Sequence, residues 1–217
     1  MFARTSKLLA CWATLSLAQT AIAAQNSAPN GVLGTAEDVA SVAAPSPAAI
    51  TPMDGALNSA QQALDSESWS KAVELYDLIL EETPANFEAL HNRGYALQQL
   101  RQYKRALADF NRAIELNPNY AIAFNNRGRT WSQLGNEQKA IEDFSQSLKV
   151  NPKSAAALNN RGCAYSNIGA SKEAIRDFDR AIKLDSKNSS FYWNRAQAFK
   201  MLGNKRAYNK DIERSKH

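Results

Sequence analysis

Cysteine is nearly missing from this chain: there are two in 217 residues, and only two histidines beside them. Cys11 falls in an N-terminal stretch that reads as removable, so Cys163 would be left alone and no disulfide framework is expected. Two histidines without a Cys/His cluster exclude a zinc site of ordinary ligand spacing. A nucleophile elbow, a phosphate loop and a dinucleotide fingerprint are all absent. Paired carboxylates such as Glu81-Glu82 read as solvated helix surface. With every catalytic constellation missing, the sequence predicts a non-catalytic protein with no cofactor and no metal. Charge of one sign is also scarce. The net +5 falls to +3 once Arg4 and Lys7 are removed, which makes no case for nucleic acid or anionic lipid as a partner.

Long apolar runs are lacking, with one exception. Leu8 to Ala24 is uncharged and largely apolar, follows the basic Arg4 and Lys7, and ends in the small residues around Ala21-Ile22-Ala23. That order predicts a secretory signal over 1–24, with a retained anchor as the alternative. Leu8-Leu9-Ala10-Cys11 imitates a lipoprotein box, but most of the apolar stretch comes after Cys11 instead of before it. Residues 25–52 are rich in Ala, Ser, Pro and Gly and poor in large apolar groups, the composition of a flexible tether. The chain is therefore expected to be exported, with a bacterial periplasm as destination and no membrane span after signal removal; secretion is the lesser alternative.

What the chain does contain is a repeat. Asn92-Arg93-Gly94 returns as Asn126-Arg127-Gly128, Asn160-Arg161-Gly162 and Asn194-Arg195-Ala196, each 34 residues after the last. A fixed period of this size marks stacked units that bury their apolar faces only against neighbours. The register gives units at 53–86, 87–120, 121–154 and 155–188 and a shortened one at 189–217. Apolar spacing within each predicts two amphipathic helices, as in Leu90, Gly94, Leu97 and Leu100 on a first helix and Ala106, Phe110, Ala113 and Ile114 on a second. Gly135, Gly169 and Gly203 follow first helices, and Pro84, Pro118 and Pro152 follow second helices.

These positions resemble the tetratricopeptide repeat. The eighth residue is small (Ala60, Gly94, Gly128, Gly162, Ala196), the twentieth is alanine (Ala72, Ala106, Ala140, Ala174), and the twenty-fourth is aromatic (Tyr76, Phe110, Phe144, Phe178). The resemblance implies an all-α fold, a right-handed α-solenoid of antiparallel helix pairs over 53–217. The last unit departs from it: Tyr208 stands at the alanine position, where a ring would wedge the helices or shift their register. The polar run Lys205 to Lys216 reads as a solubilising cap.

Two further rows follow the period. Arginine at the seventh position (Arg93, Arg127, Arg161, Arg195) meets aspartate at the twenty-third (Asp109, Asp143, Asp177, Asp211). The first unit lacks both together, with Ser59 and Leu75, so a salt bridge within each repeat is expected. Asparagine at the sixth position (Asn58, Asn92, Asn126, Asn160, Asn194) persists in all five units, although asparagine within a helix costs about 0.5 kcal/mol relative to alanine. A carboxamide both donates and accepts, which suits a peptide backbone. Neighbouring helices about 8–10 Å apart match about three extended residues. A similar ladder lines the groove in the repeats of the O-linked N-acetylglucosamine transferase family, and the resemblance implies a peptide groove here.

His91, Tyr95, Asn125, Arg129, Asn159, Trp193 and Gln197 fall on the same helix faces as the asparagines and vary from unit to unit, as selective neighbours of a uniform row would. Cys163 shares that face and is expected to be a thiol that only packs. The function expected is a non-catalytic protein–protein interaction scaffold, or adaptor, that holds an extended peptide through the asparagine ladder. A self-associating or structural subunit of a cell-envelope complex is the alternative. RNA binding of the pentatricopeptide kind fits the Gly/Ala, Phe and Pro pattern less well.

Overall fold

The computed structural model describes residues 52–216. The expected signal (1–24) and nearly all of the expected tether (25–52) lie outside the described residues.

Helices alternate with short turns along this stretch, two to a unit. They are α1 (Pro52–Asp65), α2 (Trp69–Glu82), α3 (Phe87–Gln99), α4 (Tyr103–Leu116), α5 (Ala121–Gln133), α6 (Glu137–Val150), α7 (Ala155–Asn167), α8 (Ser171–Leu184), α9 (Ser189–Met201) and α10 (Lys205–Arg214). Among the described residues there is no strand. Each helix packs against the one before and the one after, so the array is an all-α solenoid whose core is a continuous seam.

The eighth and twenty-fourth residues explain the tightness of each pair. A Cβ added at Gly94, Gly128 or Gly162 would lie 2.9, 2.8 or 2.7 Å from Cε1 of Phe110, Phe144 or Phe178. The ring therefore lies directly on the glycine backbone, and Phe110, Phe144 and Phe178 are fully buried. The turn between paired helices needs a left-handed residue at the fifteenth position. Gly135, Gly169 and Gly203 supply it at φ 78°, 81° and 72°, while Glu67 and Arg101 adopt φ 55° and 58° in the first two units. The glycine rule thus missed two units, where side-chain-bearing residues take a conformation costing about 1–2 kcal/mol.

Side-chain caps launch the first helices α3, α7 and α9, whereas α5 starts at Tyr120 without one. Asn86 accepts from the Ala89 amide at 2.9 Å and Ser154 from the Ala157 amide at 3.2 Å. The last pair keeps register despite Tyr208. Arg195 still grips Asp211 at 2.7 and 2.8 Å, and Tyr208 sits half-buried with the Lys200 ammonium 5.9 Å from its ring. The ring is accommodated half-buried in the last described pair, without loss of the clasp.

Candidate functional site

The arginine row is a three-helix clasp. Arg93, Arg127, Arg161 and Arg195 each place Nε and Nη2 on the two oxygens of the aspartate in the following helix, at 2.6–2.8 Å. Such bidentate pairing is the strong form of a charge-assisted hydrogen bond. The third nitrogen, Nη1, reaches back to the twenty-fifth residue of the preceding unit: Asp77, Asn111, Ser145 or Asp179, at 2.6–3.0 Å. One side chain therefore ties its own helix to two second helices. The paired carboxylate holds Arg93, Arg161 and Arg195 above the usual guanidinium range. Burial pushes the Asp143 carboxyl up, against the pull of Arg127. The expected intrarepeat bridge is present; the backward contact was not anticipated, although the polar residues at the twenty-fifth position were readable in the same period.

The asparagine row behaves differently from expectation. Asn126 Nδ2 lies 2.9 Å from His91 Nε2, Asn160 Nδ2 donates to Asn125 Oδ1 at 3.0 Å, and Asn194 Nδ2 donates to Asn159 Oδ1 at 2.8 Å. In every case the acceptor is the fifth residue of the preceding unit. The carboxamides are turned inward, with Asn126, Asn160 and Asn194 only 4%, 0% and 2% exposed. Their donors stitch unit to unit and are not free for a ligand, which corrects the picture of unengaged amides in an open trough. Physically, an asparagine one turn from the seam has its nearest acceptor on the neighbouring helix, and leaving that bond unmade inside the protein costs about 1–3 kcal/mol.

The first junction shows how the pattern adapts. Leu57 occupies the fifth position of the first unit and cannot accept, so Asn92 Nδ2 turns to the Tyr76 hydroxyl at 3.1 Å. Tyr76 is the one twenty-fourth residue among the first four units that carries an oxygen, and burial raises its pKa. Asn58, with no unit before it among the described residues, is exposed.

His91 joins two rungs. Its Nδ1 lies 3.0 Å from Asn92 Oδ1, and its Nε2 faces Asn126 Nδ2. Because a carboxamide nitrogen only donates, Nε2 must accept and Nδ1 must carry the proton, which assigns a neutral ring. Burial presses its pKa down to about 4.

The remaining groove candidates divide. Tyr95 is half-buried and stacks edge-on with Trp69 at 5.7 Å. Arg129 keeps part of its surface, but burial of the guanidinium lowers its pKa. Trp193 and Gln197 are half-buried on α9. Cys163 is 1% exposed and packs with Ala174, Phe178 and Ala198.

Amide chemistry also extends beyond the predicted row. Gln98 Nε2 donates to Thr130 Oγ1 at 2.7 Å and to the Asn126 carbonyl at 3.1 Å. Glu137 receives Ser132 at 2.7 Å and Asn167, from the next unit, at 2.8 Å. Burial raises the Glu137 carboxyl above its ordinary range. Each of the junctions between the second, third and fourth units thus carries several polar bonds. Replacing Asn126 and Asn160 together by alanine is expected to lower stability by about 1–3 kcal/mol per site, read as an earlier urea midpoint. An unchanged midpoint would show that these bonds are not made in solution.

Not every valence is engaged. Asn126 Oδ1, Asn160 Oδ1, Asn159 Nδ2 and Gln98 Oε1 are closed to solvent and have no hydrogen-bond partner. They lie on first helices of three successive units, with acceptors and a donor side by side.

A family profile for the tetratricopeptide repeat matches residues 87–120, 121–154 and 155–188, in the register the helices show. The chain belongs to the tetratricopeptide repeat family. Solved structures agree in fold. MamA 41-end from Desulfovibrio magneticus RS-1 superposes with a TM-score of 0.69 at 19% identity, covering 76% of this chain and 93% of that one. YrrB, described as a TPR protein with an unusual peptide-binding site, gives 0.61 at 18% identity over 74% and 82% of the two chains. A tetratricopeptide repeat protein from Parabacteroides merdae gives 0.64 at 28% identity over 77% and 65%. A comparison of the sequence with curated proteins found no match. The tetratricopeptide fold is a protein–protein interaction scaffold. No helix among the described residues is long and apolar enough to cross a membrane.

Proposed function

We propose that this tetratricopeptide chain is an exported, non-catalytic adaptor that holds an extended segment of another protein along its first helices. The observation that carries the reading is the face of the first helices beside the stitched asparagines, where half-buried side chains of differing chemistry stand from unit to unit. The Nδ2 stitches fix one first helix against the next, so this face is held in shape before any ligand arrives. Tyr95, Arg129, Trp193 and Gln197 supply the differing contacts that would select side chains. The peptide-binding site named for YrrB is in keeping with this use of the fold. Export rests on the N-terminal pattern from Arg4 to Ala24.

The test is an array of extended peptides, followed by amide hydrogen exchange on the full chain with a retained peptide. Added protection on α3, α5, α7 and α9 is expected. Protection confined to α4, α6, α8 and α10 would place the partner on the other side and defeat the reading.

A further inference from the structure

Charge is distributed unevenly along the stack. Residues 53–86 carry seven acids and one base, whereas residues 189–217 carry seven bases and two acids; the three units between are each +2. The two ends of one chain are therefore electrostatic complements.

The internal junctions show which positions meet when one unit follows another. The fifth residue pairs with the sixth of the next unit, as in Asn125 with Asn160. The twelfth pairs with the tenth, as in Gln98 with Thr130, and the seventeenth with the thirteenth, as in Glu137 with Asn167. At the C-terminal end these positions are Trp193, Lys200 and Lys205; at the N-terminal end they are Asn58, Gln62 and Asp65. All but the half-buried Trp193 are exposed.

We propose that a second copy of this chain continues the array head to tail, its first unit seated on the last unit of the copy before it. In the register of the internal junctions, Lys205 meets Asp65, Lys200 meets Gln62, and the Trp193 indole N–H donates to the Asn58 carboxamide oxygen. Each of the three encounters is chemically matched, and the charged one has the sign that the end-to-end polarity requires. The arrangement also accounts for Asn58. It is the sixth-position asparagine of a unit that has lost the arginine clasp, and its bonding partner in this register is supplied from outside the unit. The contact is heterologous and repeats the internal junction, so each added copy lengthens the stack and growth continues with concentration. Asn209 and Lys216 stand where internal units carry apolar residues (Ile141 and Leu148, both buried), so the joint is polar and salt-sensitive.

Sedimentation of the full chain at micromolar to near-millimolar concentration tests this. At about 0.01 M salt the weight-average mass is expected to climb past that of a dimer, and at about 1 M salt to return to the 23.9 kDa monomer. D65K and K205E should each weaken association about tenfold, and the D65K/K205E double variant should restore it. Both changes suit the helix dipole, lysine at the end of α1 and glutamate at the start of α10, so folding should survive and is checked by melting. A wild-type mass that stays monomeric, or that stops at the dimer, overturns the proposal. So does a D65K variant that associates normally, the result expected if the basic end serves an anionic surface instead. The joint shares only Trp193 with the groove, so a chain that captures peptide but never associates would overturn this inference alone.

Discussion

Replacing Arg161 by methionine is expected to cost about 3–5 kcal/mol, the largest loss foreseen for a single side chain in the array. The reason is what the change leaves behind. Asp177 is 5% exposed and receives both Nε and Nη2 of Arg161, at 2.7 and 2.8 Å. Without them a carboxylate stays inside the seam with no adequate counter-charge, since Arg180 is 3.9 Å away and half exposed. Nη1 also leaves Ser145 and with it the link to the preceding unit. The R161M/D177L double variant is expected to recover most of the loss, because apolar groups of similar volume do no worse than a buried ion pair. Urea denaturation of the three proteins reads both effects. A cost below about 1 kcal/mol for R161M would class the clasp with surface ion pairs and remove its structural role.

The second large effect is on pH. His91 is neutral in the folded chain, with a pKa near 4, and near 6.5 when unfolded. A histidine depressed in this way leaves stability intact above the unfolded value. Between about 6.5 and 4 the unfolded chain takes up the proton first, so stability falls as pH falls through that window. The full loss is about 3 kcal/mol, from a shift of about 2.5 units. Protonation would also turn Nε2 into a donor against the Asn126 Nδ2 donor, opening the joint between α3 and α5. His91→Asn is the informative comparison, since Asn125 and Asn159 do the same work at the next two joints. Wild type and variant share every other titrating group. Their stabilities are expected to run parallel above pH 7 and to separate below it, the variant losing less; parallel curves throughout would mean the ring is not bonded as described.

Most of the fold was legible because the repeat puts the same physical demand at the same position five times. Small residues opposite Phe110, Phe144 and Phe178, and alanines between helices, can be read without coordinates. The Arg/Asp row was legible for the same reason, its absence from the first unit being as informative as its presence elsewhere. What could not be read was direction. A helical residue near the edge of the buried stripe can aim into a groove or across to the neighbouring unit, and the period is identical either way. The asparagines lay on that edge, and their repetition was taken for a ligand-gripping row when it first serves the joint. The partner row was in view: residues at the fifth position are His, Asn and Asn wherever an asparagine follows, and Leu57 is answered by the Tyr76 hydroxyl. Variation at that position was read as selectivity, although it preserves an acceptor at three joints in succession.

Which amide protons are engaged before any peptide arrives decides the matter most directly. In a nitrogen–proton spectrum of the labelled chain, the Nδ2 protons of Asn126 and Asn160 are expected to exchange slowly in the free protein, since each donates across a joint. A retained peptide should shift the signals of the half-buried Tyr95, Trp193 and Gln197 side chains while those stitches stay slow. Fast exchange at Asn126 and Asn160 would contradict the stitched row, and a retained peptide that leaves Tyr95, Trp193 and Gln197 unmoved would contradict the groove.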